Sequence, residues 1–273
     1  MKSIFRGANL TGLAFLLFLG FPVYWMVSTS FKDPKDVLVA SPSLIPTSFS
    51  LENYVLAFEK EYFIGSIINS AIVVSATVVV SVVLALTASF ALARIQFRGK
   101  STFTVLILLV QMVPLTALII PLFLQLSSLG LVNTQPGLII TYIAFVLPFV
   151  IWTLRGFLMG IPQELEEAAL VDGCSRPKAF VYIIFPLMAP GLVATGVYAF
   201  IQAWNEFLLA YIIMASQENQ TLPVWLAGFT TRTGTEWGPL MAASVIAAIP
   251  AVVLFLIFQK KLAVGVTAGA IKG

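Results

Sequence analysis

The sequence predicts an all-α integral membrane protein of six transmembrane helices with both termini cytoplasmic, and three observations predict it. Of its 273 residues 59% are hydrophobic and 10% charged, too few charges to clothe so much apolar material in water. Six apolar runs, at about 10–28, 67–93, 103–126, 137–157, 190–214 and 240–258, approach the length needed to cross a bilayer. The links between them are unequal in positive charge. One side carries eleven basic residues, Lys2, Arg6, Arg94, Arg98, Lys100, Arg155, Arg176, Lys178, Lys260, Lys261 and Lys272; the other carries four, Lys32, Lys35, Lys60 and Arg232. An excess of Lys and Arg marks the cytoplasmic face, and an even number of spans puts both termini there. Residues 1–273 thus read as a single transmembrane domain.

The first run follows Lys2 and Arg6 as a secretory signal would, but Tyr24 and Trp25 resemble an interfacial aromatic belt, and no small-residue cleavage pattern follows. It is expected to be a retained span. In the second run Thr77, Ser81, Ala85, Ser89 and Ala93 recur every four residues, laying small side chains along one helix face where a neighbour can approach closely. Ala243, Ala247 and Ala251 repeat the pattern in the sixth. Pro22, Pro114, Pro121, Pro148 and Pro250 fall in or beside spans and are expected to bend them. The outer links, about 29–66 and 215–239, read as solvated loops that could cap the bundle or receive an external partner.

The single cysteine, Cys174, excludes an internal disulfide, and the absence of histidine removes the commonest general base and metal ligand. A net charge of +3 is too small to point to nucleic acid. Gly99-Lys100-Ser101 matches the tail of a phosphate-binding loop, but Arg94 stands where its first glycine belongs and no strand precedes it. No catalytic or metal-binding residue is expected in the chain, which is read as not itself an enzyme. Glu206 is the one carboxylate placed inside a span, where a charge costs about 3 kcal/mol on insertion scales. A substrate contact, a hydrogen-bonding brace and a proton carrier all remain open for it.

Residues 162–190 are the longest charged, helix-compatible segment of the chain. Pro162 suits a first helical turn, Glu164, Glu166 and Glu167 suit its N-terminal dipole end, and Gly173 is a natural stop. Ser175 can cap a second helix with an apolar flank of Phe180, Ile183 and Ile184, which Pro186 should end. A rigid helix pair on the cytoplasmic face, between two spans, has the shape to pass a push from a soluble partner into both.

Here the sequence resembles a known family. Glu167-Ala168-Ala169, Asp172-Gly173, Phe180, Ile183, Pro186 and Pro190 match the EAA loop of permease subunits of binding-protein-dependent ABC importers; Cys174 stands for the usual alanine and Phe185 for the usual leucine. Ala91-Leu92-Ala93-Arg94, Phe97-Arg98-Gly99-Lys100, Ile161-Pro162 and Ala203-Trp204-Asn205-Glu206-Phe207 are similar to the carbohydrate branch, and size and span number to the smaller permease of maltose importers. The resemblance implies a second permease subunit, two ATPase subunits that bind the ATP and Mg, an extracytoplasmic solute-binding protein, and a bacterial or archaeal plasma membrane. This chain would bind no cofactor. The resemblance gives Glu167, Ala168, Ala169, Asp172, Gly173, Phe180, Pro186 and Pro190 to coupling with an ATPase, and the tail Gly269, Ala270, Ile271, Lys272 and Gly273 to contact with the ATPase pair. Gln111, Tyr198, Gln202, Asn205 and Glu206 are polar residues placed to line a solute path. The rival expectation is an ion-gradient-driven transporter with Glu206 as carrier.

Overall fold

A computed structural model describes residues 2–270, and the side chains within residues 9–259. Helix α1 (Lys2–Ser30) leads to two short helices, α2 (Pro34–Val37) and α3 (Glu52–Glu59), before α4 (Phe63–Arg94). At 32 residues α4 is about 48 Å long, well beyond a ~30 Å hydrocarbon core. Its small-residue face is buried: Thr77, Ser81, Ala85 and Ser89 are all closed to solvent where α4 packs on its neighbours, principally α7 (Gln135–Met159). Absent side-chain bulk is what admits α7 so closely.

The third expected span, 103–126, is not one helix. Helix α5 (Lys100–Met112) and α6 (Leu115–Ser128) meet at 99° across a break of two residues. Pro114 offers no N–H to continue α5 and drives Val113 into extended backbone, φ −73° and ψ 123°. By contrast Pro22, Pro121, Pro148 and Pro250 sit inside helices that run on past them. Among the described residues five helices are long and apolar enough to cross a membrane, or six crossings if the bent pair counts as one.

The fifth expected span, 190–214, starts earlier and stops sooner. Helix α9 (Arg176–Ala179), a wide π turn (Phe180–Ile184) and α10 (Phe185–Trp204) form one rod of 29 residues. The chain then breaks over residues 205–207 before α11 (Leu208–Ile213). Pro186 therefore does not end a helix as expected. The amide of Phe185 bonds to the carbonyl of Phe180, five residues back, and this widened turn leaves room for the proline ring where an ordinary turn would clash. Gly191 of α10 packs on α7, where an added Cβ would lie 2.6 Å from the Phe157 ring.

At the end of the bundle where α4 and α7 begin, the outer links are ordered. Helix α12 (Leu222–Ala227) and a small hairpin, Thr230–Thr231 paired with Gly234–Thr235, lie between α11 and α13 (Trp237–Ala270). Buried Asn53 donates to the carbonyls of Lys32 and Ser30 at 2.7 and 3.3 Å. Asn69 donates to Glu218 and Gln220 and accepts from Gln135. The Trp225 indole stacks on Phe63 and donates to the carbonyl of Glu61 at 2.8 Å. Lys32 is buried beneath Trp25, and burial lowers its pKa from the ordinary lysine value, partly opposed by Asp36. Of the alternatives open for these links, the structure shows a cap, built on side-chain-to-backbone bonds.

The core is in two parts. Phe63, Leu138, Tyr142, Leu222 and Trp225 fill the half under the cap; Leu92, Leu154, Leu158, Ile184 and Met188 fill the other. Helix α1 lies along α13 and keeps its apolar surface outward, with Phe18 77% exposed, as suits contact with lipid.

Candidate functional site

Helix α8 (Glu164–Val171) stands at the end of the bundle opposite the cap. Its first turn carries Glu164, Glu166 and Glu167, complementing the partial positive charge of a helix start. Pro162 lies one residue ahead of the helix cap Gln163 and not within the first turn. The end of α8 is closed by two backbone bonds, Gly173 N–H to Leu170 and Cys174 N–H to Ala169, at 3.1 and 2.9 Å. That closure requires a left-handed residue, which Gly173 supplies at φ +86°. Ser175 sits at the start of α9, though its side chain makes no capping bond.

One side of α8 faces solvent and the other grips the bundle. Glu167, Ala168, Asp172 and Gly173 are exposed, while Ala169 is buried and Phe180 is half-buried, edge-on to Phe90 of α4 at 5.1 Å. Pro186 is exposed and Pro190 half-buried along the rod. The grip is an ion pair that sequence reasoning missed. Arg94, at the last turn of α4, donates from Nε to Glu166 and from Nη2 to the Ile161 carbonyl at 2.8 Å. Arg94 had looked like a topology anchor, and nothing local signals a pairing 72 residues away. One apolar side chain of α8 also stands in the open, Val171 at 88% exposure. Its signal was present in the sequence, as an apolar position on a short charged helix.

A groove of about 640 Å³ separates α8 and α9 from the end of α4, walled by Thr87, Phe90, Arg94, Leu170 and Phe180. The paired Arg94 and Glu166 both stand on its wall.

A second constellation lies about 10 Å inside the capped end of α7, seven residues after Gln135. Glu206 occupies the break between α10 and α11, half-buried. Its carboxylate accepts from the amides of Leu209 and Ala210 at 2.9 and 3.1 Å, and from the Tyr142 hydroxyl at 2.9 Å. These bonds satisfy the free start of α11 and tie it to α7, the geometry of a brace. Tyr198, Gln202 and Glu206 share a hollow of about 190 Å³ with Tyr142, Phe145 and Leu115. Of the other polar residues expected on a path, Asn205 is exposed in a separate groove beside Trp204 and α13, and Gln111 is exposed on α5. Gly269 and Ala270 end α13, whereas Ile271, Lys272 and Gly273 lie outside the described residues. Among the described residues no cluster of acidic or cysteine side chains could hold a metal ion.

Residues 81–267 match a family model described as the inner membrane component of binding-protein-dependent transport systems. The chain is 43% identical over 265 residues to the diacetylchitobiose uptake system permease protein DasC of Streptomyces coelicolor, covering 97% of this chain and 96% of that one. It is 40% identical to the trehalose transport system permease protein SugB of Mycobacterium tuberculosis, covering 92% of each. To the trehalose/maltose transport system permease protein MalG of Thermococcus litoralis it is 39% identical, covering 93% of this chain and 91% of that one. The fold is shared with a chain of a bacterial ABC transporter that imports the acidic polysaccharide alginate, with a TM-score of 0.82, 23% identity, and coverage of 95% and 96%.

Proposed function

Because the chain belongs to the family of inner membrane components of binding-protein-dependent transport systems, we propose that it forms half of a solute path and is driven through α8 by a separate ATPase. It is a multi-pass membrane permease of the sugar-transporting kind, as its relatives for diacetylchitobiose and for trehalose and maltose support. The solute is a sugar or sugar-like molecule. The end bearing α8 and both termini faces the cytoplasm, the cap faces outward, and the membrane is a bacterial or archaeal inner membrane. A second permease completes the path, two ATPase subunits bind the ATP and Mg, and a solute-binding protein delivers to the cap.

One observation carries the mechanism: α8 presents Glu167, Asp172 and 88%-exposed Val171 outward while it is fastened to two spans at once. The Arg94–Glu166 pair fastens it to α4. Gly173 and a short turn join it to the α9–α10 rod, which runs uninterrupted to Trp204 beside the Glu206 brace. A displacement of α8 by a closing ATPase pair is therefore delivered to α4 by a side-chain strut and to α10 by the backbone. The work at the path is binding and release, with the bond-breaking chemistry left to the ATPase. The three bonds accepted by Glu206 have the geometry of a brace, since they hold the start of α11 and tie it to α7.

The test is reconstitution of the complex in proteoliposomes with labelled sugars. Uptake that requires ATP and the binding protein, and persists when ion gradients are collapsed, is expected. Uptake driven by an ion gradient without ATP would refute the proposal.

A further inference from the structure

The 190 Å³ hollow is where two interrupted helices meet. Leu115 opens α6 just after the α5–α6 break, and Glu206 fills the α10–α11 break; Tyr142 and Phe145 of α7 and Tyr198 and Gln202 of α10 close the space between. Interrupted backbone inside a membrane is tolerated where it lines a cavity, and discontinuous helices are where transport proteins hold what they carry. Two breaks converging on one hollow single it out from the other grooves of the molecule.

Its walls are chemically selective. The bonds within it run from Tyr142 and α11 to Glu206, and none among the described residues engages the Tyr198 hydroxyl or the Gln202 amide. Those two groups are free to bond a ligand, and stacking on Phe149 at 3.9 Å between centroids fixes the plane of the Tyr198 ring. The wall charge is the Glu206 carboxylate; no lysine or arginine lines the hollow. An acidic ligand would meet a like charge with no cation to offset it. At 190 Å³ the space is below the roughly 300 Å³ at which pockets begin to enclose whole drug-sized ligands. It has room for part of a solute.

We propose that this hollow is a subsite for one uncharged, hydroxylated ring of the transported sugar, held by the Gln202 amide and the Tyr198 hydroxyl, and that it disfavours acidic sugars. This rests on the sugar-importer function above and adds a charge class to it. It also separates this chain from the transporter whose fold it shares, since that one imports acidic alginate.

The experiment uses the full complex in proteoliposomes, with one binding protein in every arm, and labelled neutral and uronic-acid disaccharides. The wild-type complex is expected to favour the neutral sugar at least tenfold. Tyr198→Phe, which keeps the stack and removes the hydroxyl, and Gln202→Ala are expected to lower neutral uptake about tenfold at saturating binding protein. Gln202→Arg is expected to move the neutral-to-acidic ratio about tenfold toward the acid, and because the binding protein is constant that change belongs to this chain. Neutral uptake untouched by Tyr198→Phe and Gln202→Ala, or a wild-type complex that carries both sugars equally, overturns the subsite and leaves the importer function standing. No ATP-driven uptake of any sugar by the wild-type complex overturns that function and the subsite with it.

Discussion

Removing the Arg94 side chain should uncouple ATP hydrolysis from sugar uptake. The Arg94 and Glu166 side chains are 8% and 20% exposed, and Arg94 also holds the Ile161 carbonyl just before α8. Breaking a buried ion pair by deleting one member costs about 3–5 kcal/mol. Water reaches the Glu166 side and reclaims part of that, so about 2 kcal/mol is a reasonable figure for Arg94→Ala. A change of about 2 kcal/mol alters the ratio of fastened to unfastened α8 roughly 30-fold. If the strut carries the push to α4, the sugar imported per ATP hydrolysed falls by about tenfold while hydrolysis itself continues. Arg94→Lys keeps the charge but cannot bridge Glu166 and Ile161 together, and should fall between. The exchange Arg94→Glu with Glu166→Arg should recover part of the loss. Uptake and phosphate release measured on the same proteoliposomes give the ratio directly. A wild-type ratio in Arg94→Ala would refute the strut.

Substitutions at three further positions probe the joint and the bundle. Gly173→Ala places a Cβ at φ +86° and should cost about 1 kcal/mol locally, seen as faster amide exchange at Asp172–Cys174. Glu206→Ala strips the acceptor from two α11 amides and from Tyr142, and should lower stability by about 3 kcal/mol in detergent thermal unfolding; Glu206→Gln, which retains one acceptor oxygen, should lose about half as much. Gly191→Ala drives a methyl group into Phe157 and should destabilise by about 1–3 kcal/mol in the same assay.

Hydropathy was enough to read a helical membrane bundle, and the four-residue repeat from Thr77 to Ser89 located a face that is indeed buried. The errors came from geometry that hydropathy does not encode. Pro114 marked a bend in the apolar run 103–126, but hydropathy does not give its size, 99°. Residues 208–213 are as apolar as a span, yet Asn205 and Glu206 interrupt the helix before them. Pro186 was read as a terminator because that rule assumes bonds four residues back, and the π turn bonds five back. Among site residues, the short charged helix was legible from its glutamates and Gly173. The Arg94–Glu166 strut and the Tyr142–Glu206 bond were not, because each joins segments 60 or more residues apart.

The central claim, that α8 is the surface on which an ATPase acts, is most directly tested by placing a cysteine at Val171 and, as a control, at exposed Thr231 on the cap, with Cys174→Ser in both. A short thiol-reactive photocrosslinker on the assembled complex should capture the ATPase from Val171→Cys, with a yield that changes when ATP is bound, and should not capture it from Thr231→Cys. Capture from the cap, or no capture from Val171→Cys in a complex that still imports sugar, would contradict the account.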